Sequence, residues 1–252
     1  MAVVAPNRST LLNIAFYFAE QRNKGNMKRP WLEYTIDEKK ALYAKLSTAL
    51  TPHKQSLFEE KVANRTRHLS IGLENMMKSH NASALMRTAD AFGVHRVDVL
   101  DQHEQFNVSS GISKGVEKWL DLSFSNSYDQ LTTKQWAAKL KSAGRRLVVT
   151  TLVPGAKPIG ELDVSTPLTI CFGNEQLGAS KELEAAADER VYIPMYGFVE
   201  SFNVSVSCGI ILHHLTHKMR SEGCFTPLEE EDKWNVLIEW AMRTVPNPLE
   251  FR

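Results

Sequence analysis

Cysteine is scarce in this chain of 252 residues: Cys171, Cys208 and Cys224 stand far apart and odd in number. That excludes a disulfide framework and a cysteine-rich zinc site, and it fits a reducing, cytoplasmic setting. No apolar run reaches the roughly 18 residues that cross a bilayer, so no membrane partner is expected. The stretch from Met1 to Gln21 has an apolar patch, but no basic region precedes it and no small-residue cleavage site follows. With Glu20 closing it, this stretch reads as a helix and not as a signal peptide. The glycine fingerprints of dinucleotide and nucleotide sites, G-x-G-x-x-G and G-x-x-x-x-G-K-[ST], are missing, as is the G-x-S-x-G nucleophile elbow. His213 and His217 have the spacing of a zinc helix, yet His214 stands where the glutamate of such a motif belongs and no third ligand is evident, so no metal is expected.

Charge of one sign is not in excess either: 30 Lys and Arg face 29 Asp and Glu, for a net charge of +1. The distribution is uneven. Basic clusters occur from Arg22 to Arg29, Lys61 to Arg67, Lys139 to Arg146 and Lys218 to Arg220, offset by the acidic run Glu229 to Asp232. Such clusters suit a nucleic-acid face and equally suit solvated helix surfaces. The hydrophobic fraction of 43% supports a soluble protein with a real core.

The chain divides into three regions by pattern. Residues 1–63 read as a helical extension with a possible RNA-binding role: Leu11, Leu12, Phe16 and Ala19 recur at helical spacing, as do Ala41, Leu42, Lys45 and Leu46. Pro52 interrupts the pattern before a further helical piece from Leu57 to Val62. Residues 64–222 alternate strands and helices. Strands are expected at His68–Leu73, Val94–Leu100, Arg146–Leu152, Leu168–Phe172 and Arg190–Ile193, and helices at Ala82–Phe92, Tyr128–Ser142, Ser180–Ala187 and Val204–Arg220. This alternation predicts an α/β domain with a largely parallel sheet. Residues 223–252 form a helical tail, with a helix at Leu228–Met242 stopped by Pro246 and Pro248.

Within the α/β region three segments can carry chemistry. Ser79 to Gly93 reads as a helix capped by Asn81 and ended by Gly93, with an apolar stripe at Ala82, Leu85, Ala89 and Phe92; Ser83, Arg87 and Asp90 lie elsewhere on it, the last two spaced as an ion pair. In Leu168 to Gly178 a buried strand runs into a loop with two glycines and Glu175, where an open α/β sheet binds ligands. In Ile193 to Ser207 a strand ends at Pro194, and Ser201 or Asn203 can cap a helix made apolar by Val206, Ile210, Ile211 and Leu215. Each segment alone also reads as ordinary capped structure. Cys171 and Cys208 fall in apolar runs and read as packed side chains.

Taken in order, N-x-x-x-x-x-R-T-x-D-x-F-G, F-G-N-E-x-x-G and I-P-M-x-G-x-x-x-S-x-N-V-S-V resemble the three motifs of the TrmH branch of the SPOUT methyltransferases, over about residues 66–222. Within that branch the resemblance is to the group acting on guanosine 18 of the tRNA D-loop. It implies a SPOUT-type trefoil-knotted domain and an S-adenosylmethionine-dependent RNA ribose 2′-O-methyltransferase working as a homodimer on tRNA. It further implies a cofactor pocket at Thr150, Leu152, Gly173, Ile193, Met195 and Phe202, the last a departure from the usual leucine. Arg87 matches the family's catalytic arginine, with Asn81, Glu175, Ser201 and Asn203 around the reaction centre and His80 beside them. Lys218 and Arg220 are candidate RNA contacts. A ribosomal RNA substrate and a non-catalytic RNA-binding module of the same fold are the alternatives. The first sits poorly with the helical amino-terminal pattern, because related rRNA enzymes often carry an α/β domain there. The second sits poorly with the intact polar set.

Overall fold

The computed structural model describes residues 29–103, 106, 110–126 and 131–245. The helix expected around Leu11 to Ala19, most of the Arg22 to Arg29 cluster, the start of the helix expected from Tyr128, and Pro246 and Pro248 lie outside the described residues. In chain order the α-helices of six or more described residues are α1 (Ile36–Ser47), α2 (Pro52–Ala63), α3 (Ser79–Ala91), α4 (Thr133–Ser142), α5 (Lys181–Ala186), α6 (Val204–Ser221) and α7 (Glu230–Thr244). The strands are β1 (Thr66–Glu74), β2 (Val94–Asp101), β3 (Asp121–Asn126), β4 (Arg146–Thr150), β5 (Lys157–Pro158), β6 (Leu168–Phe172) and β7 (Glu189–Tyr192).

The described residues form two compact units, residues 29–64 with 228–245, and those of the stretch 65–227. In the first, Thr35 and Glu38 close a capping box on α1, and Thr51 caps α2 with Pro52 at its first position, where no amide hydrogen is needed. Helix α7 returns from the far end of the chain to pack on both. Phe58 meets Trp240 edge-on at 5.5 Å, and the fully buried Lys39 ammonium reaches Glu231 at 2.6 Å. Among its described residues this unit has no strand.

The second unit is built on a seven-stranded sheet in the order β3-β2-β1-β6-β4-β7-β5, with every pairing parallel. A parallel sheet needs cover on both faces. On one face α3 and α6 bury Leu85, Met86, Ala89, Ile211, Leu212 and Leu215 against Ile71, Val97 and Ile170. On the other, Trp136 and Leu140 of α4 and Leu183 of α5 cover Leu147, Val149 and Cys171. Burial pushes the thiols of Cys171 and Cys208 up, and both pack as apolar side chains. The connection after β1 leads to β2 on one side of the sheet, whereas the one after β6 leads past β4 to β7 on the other. The crevice at the carboxyl ends of β1 and β6 is therefore the topological switch point, where open parallel sheets bind ligands.

Several local expectations are corrected. Strands β3 and β5 were not expected: β3 is an edge strand of mostly polar residues with Phe124 45% exposed, and β5 has only two residues. Helix α3 starts at Ser79 with Lys78 as its cap residue, so Asn81 lies inside the first turn and caps nothing. Asp90 does not pair with Arg87; it pairs with Arg65, which approaches from the start of β1. Ser83 is buried and donates to the Ser79 carbonyl. On α6, Ile211 and Leu215 are buried, while Val206 and Ile210 are 48% and 36% exposed. Gly93 takes φ of +77° just past α3, the left-handed conformation that ends helices.

Candidate active site

The loops after β4, β6 and β7 and the entry to α3 enclose a cavity of about 400 Å³, within the range of small-molecule sites. Thr150, Leu152, Gly173, Ile193, Met195 and Phe202 line it, together with Asn81, Glu175, Ser201 and Asn203. Segments widely separated in sequence thus meet at the switch point.

One hydrogen-bonded chain ties these segments together. The Glu175 carboxylate accepts from the backbone amides of Met77 and Lys78, both at 2.9 Å, and from Asn81 Nδ2 at 3.1 Å. Asn81 Oδ1 in turn accepts from Asn203 Nδ2 at 3.2 Å. Asn203 Oδ1 accepts from the amide and hydroxyl of Ser205 at 2.8 and 2.6 Å, capping α6. Asn81 is only 1% exposed, and both ends of its amide are engaged, as a buried polar group requires. Desolvation works to raise the Glu175 carboxyl, but hydrogen bonds from the amides of Met77, Glu175 and Lys78 and from Asn81 outweigh it and hold the group below the ordinary carboxylate range.

The F-G-N-E loop is shaped by its own backbone. A Cβ at Gly173 would lie 2.1 Å from the Ala179 nitrogen, so the missing side chain makes room for the returning loop. Asn174 Oδ1 accepts from the amides of Gln176 and Leu177, and Asn174 Nδ2 donates to the Asn75 carbonyl at 2.7 Å. The far end of the loop is held by the buried Glu74, which accepts from the Ser180 amide and hydroxyl at 2.9 and 2.6 Å. The Thr150 hydroxyl is already spent on the Cys171 carbonyl at 3.0 Å.

The remaining candidates stand apart from the cavity. Arg87 lies farther along α3, exposed, and donates from Nη1 to the Ile112 carbonyl at 2.9 Å. His80 is exposed in the first turn of α3. The Lys218 ammonium donates to the carbonyls of Gly160 and Leu162 at 3.1 and 2.8 Å. Arg220 stacks on Phe225 with its guanidinium carbon 3.7 Å from the ring centre. Sequence reasoning missed Lys78, Glu74 and Asn174. Asn174 stood inside the motif and could have been found as a side chain that caps its own turn. Glu74 and Lys78 carry no such signal.

Residues 68–213 match the SpoU rRNA Methylase family. The chain is 32% identical over 202 residues to a tRNA (guanosine(18)-2′-O)-methyltransferase of Borreliella burgdorferi, covering 80% of this chain and 90% of that protein. To the enzyme of the same name in Thermus thermophilus it is 33% identical over 198 residues, 77% of this chain and 98% of the relative. Among solved structures, a TrmH/SpoU tRNA modifying enzyme of Aquifex aeolicus superposes with a TM-score of 0.69 at 30% identity, over 77% of this chain and 97% of that one. With the motif-bearing loops gathered around one cavity and matches of this extent, the chain belongs to the SpoU rRNA methylase family.

Proposed function

We propose that this protein transfers the methyl group of S-adenosylmethionine to the ribose 2′-hydroxyl of guanosine 18 in the tRNA D-loop, acting in the cytoplasm as a homodimer. The observation that carries this reading is the Glu175–Asn81–Asn203 chain, which links the three motif segments at the wall of one cavity. The cavity fits the donor. Leu152, Ile193, Met195, Phe202 and Ile211 offer an apolar wall for an adenine ring, and the carboxylates of Glu175 and Glu200 favour a cation. When bound, the donor supplies a methyl carbon already made electrophilic by its sulfonium.

The chain's own residues then have to bind and orient the acceptor. Ser201 and Asn203 orient the ribose, Asn81 holds Asn203, and Glu175 holds Asn81 and the entry to α3 in place. A guanidinium stays protonated at ordinary pH, so Arg87 serves to bind the phosphate beside the target ribose and to stabilise charge developing on the 2′-oxygen. Because Arg87 lies outside the cavity of its own chain, this reading takes it from a second copy. The exposed apolar Phe202, Val206 and Ile210 at the start of α6 support packing between copies there. The trefoil knot belongs to the same reading, supported by the likeness to the Aquifex enzyme. His80 and Arg220 extend the RNA-contact surface.

A tRNA substrate is favoured over ribosomal RNA by the names of the relatives, which act on guanosine 18 of tRNA and cover most of this chain. The test is incubation with labelled donor and total tRNA or rRNA from a strain lacking the protein, followed by mass-spectrometric mapping. A methyl group on the ribose of guanosine 18 is the expected result. Label appearing only in rRNA would move the substrate, and no label in any RNA would end the enzyme reading.

A further inference from the structure

Among the described residues Lys78 is the only basic one lining the cavity, and nothing in the motifs assigns it a task. Its backbone is fixed by the catalytic machinery itself. The Lys78 amide donates to Glu175 Oε1 at 2.9 Å, and its carbonyl accepts from the amides of Asn81 and Ala82 at 2.9 and 3.1 Å as the cap position of α3. The side chain is exposed and has no ion pair or hydrogen bond with a side-chain partner among the described residues. The result is a flexible ammonium arm on a pinned root at the cavity wall.

The charge balance of the cavity gives that arm work to do. The other ionisable side chains on its wall are two carboxylates, Glu175 and Glu200, joined by one phenol at Tyr192. Both substrates of the reaction proposed above nevertheless bring an anion to this place: the donor has an amino-acid carboxylate, and the acceptor ribose has a neighbouring phosphate. An anion entering a pocket with two carboxylates needs a cation to offset their repulsion, and Lys78 is the cation that the cavity's own chain places on its wall, beside the Arg87 that the functional reading brings from a second copy. Resting on that functional reading, we infer that Lys78 is the anion-holding residue of the cavity, its ammonium gripping a carboxylate or phosphate oxygen of the bound substrates.

The test compares Lys78→Ala and Lys78→Arg with the parent full-length protein. Donor affinity is measured by calorimetry, tRNA affinity as a function of salt, and turnover with both substrates saturating. A charge-assisted contact of this kind predicts that the alanine variant weakens one affinity about tenfold or more, with arginine restoring most of it. If the donor carboxylate is the ligand, donor affinity falls and the salt dependence of tRNA binding stays as it was. If the phosphate is the ligand, tRNA affinity falls and its salt slope drops by about one. Both affinities within twofold of the parent would overturn the inference while leaving methyl transfer, and the functional reading, intact. A loss that arginine does not restore and that follows a fall in melting temperature would assign Lys78 to structure alone. The affinity measurements retain their meaning even if the parent methylates no RNA, so the two failures are distinguishable.

Discussion

Glu175 accepts from two backbone amides and one side-chain amide, and those bonds reward its charged form. Its carboxyl therefore titrates below its ordinary range, despite the opposing effect of burial. A carboxylate depressed in the folded state contributes stability that is complete above its unfolded pKa and is lost as pH falls through the folded value. Glu175→Gln removes the charge and leaves one acceptor oxygen. We expect it to cost about 1 kcal/mol at neutral pH, the lower figure suiting a half-exposed group, and to flatten the acid side of the stability curve. Denaturant unfolding at a series of pH values measures both, and an acid limb identical to the parent's would refute the assignment. Gly173→Ala is expected to be worse, because the new Cβ meets backbone at Ala179, which cannot rotate away. About 1–3 kcal/mol should be lost, with donor binding, by thermal unfolding and calorimetry. The glycine's position in a motif was legible in sequence. Its cause was not, for the atoms it avoids belong to the loop's own return. Glu175 was likewise legible as a carboxylate in a ligand loop, whereas the amides of Met77 and Lys78 that hold it have no side-chain identity to read.

Helix α6 begins on Asn203, one side chain with two tasks. Its oxygen caps the helix through Ser205, and its nitrogen donates to Asn81. Substitution separates the two. Asn203→Ala should lose the cap, at about 1 kcal/mol of stability, and the link to Asn81. Asn203→Asp keeps a good cap but sets a carboxylate oxygen against Asn81 Oδ1. Asn81 cannot turn its amide around without releasing Glu175. The aspartate variant should therefore melt near the parent temperature and still lose methyl transfer. Equal loss of activity and stability in both variants would reduce Asn203 to a cap. Caps of this kind are readable because they act over a few residues. Asn81 resembles a cap just as well, and its real use, between Glu175 and Asn203, depends on strand order that no local pattern encodes. The same holds for β3: an edge strand satisfies only one neighbour and exposes part of its face, so Asp121–Asn126 lacks the apolar density that marked the inner strands.

On the scale of the molecule, helical and α/β patterns were visible along the chain, but not that α7 would share a compact unit with α1 and α2. Periodicity reports which face of a helix is apolar and not which distant partner covers it. The same gap surrounds α6, whose Val206 and Ile210 face outward in one chain. If a second copy covers them, Ile210→Asp should give a monomer in sedimentation that binds donor and transfers no methyl, since Arg87 then has no neighbouring cavity to reach. Mixing supplies the sharper measurement. Arg87→Ala and Asn203→Asp are each expected to be inactive. If Arg87 acts across the interface, a mixed dimer contains one cavity with intact Asn203 that receives Arg87 from the Asn203→Asp chain, and activity returns on mixing. If Arg87 acts within its own chain, every cavity in the mixed dimer lacks one of the two groups and the mixture stays silent. Recovery of methyl transfer after co-refolding, read against each variant alone, therefore decides whether the cavity is complete in one chain or only in two.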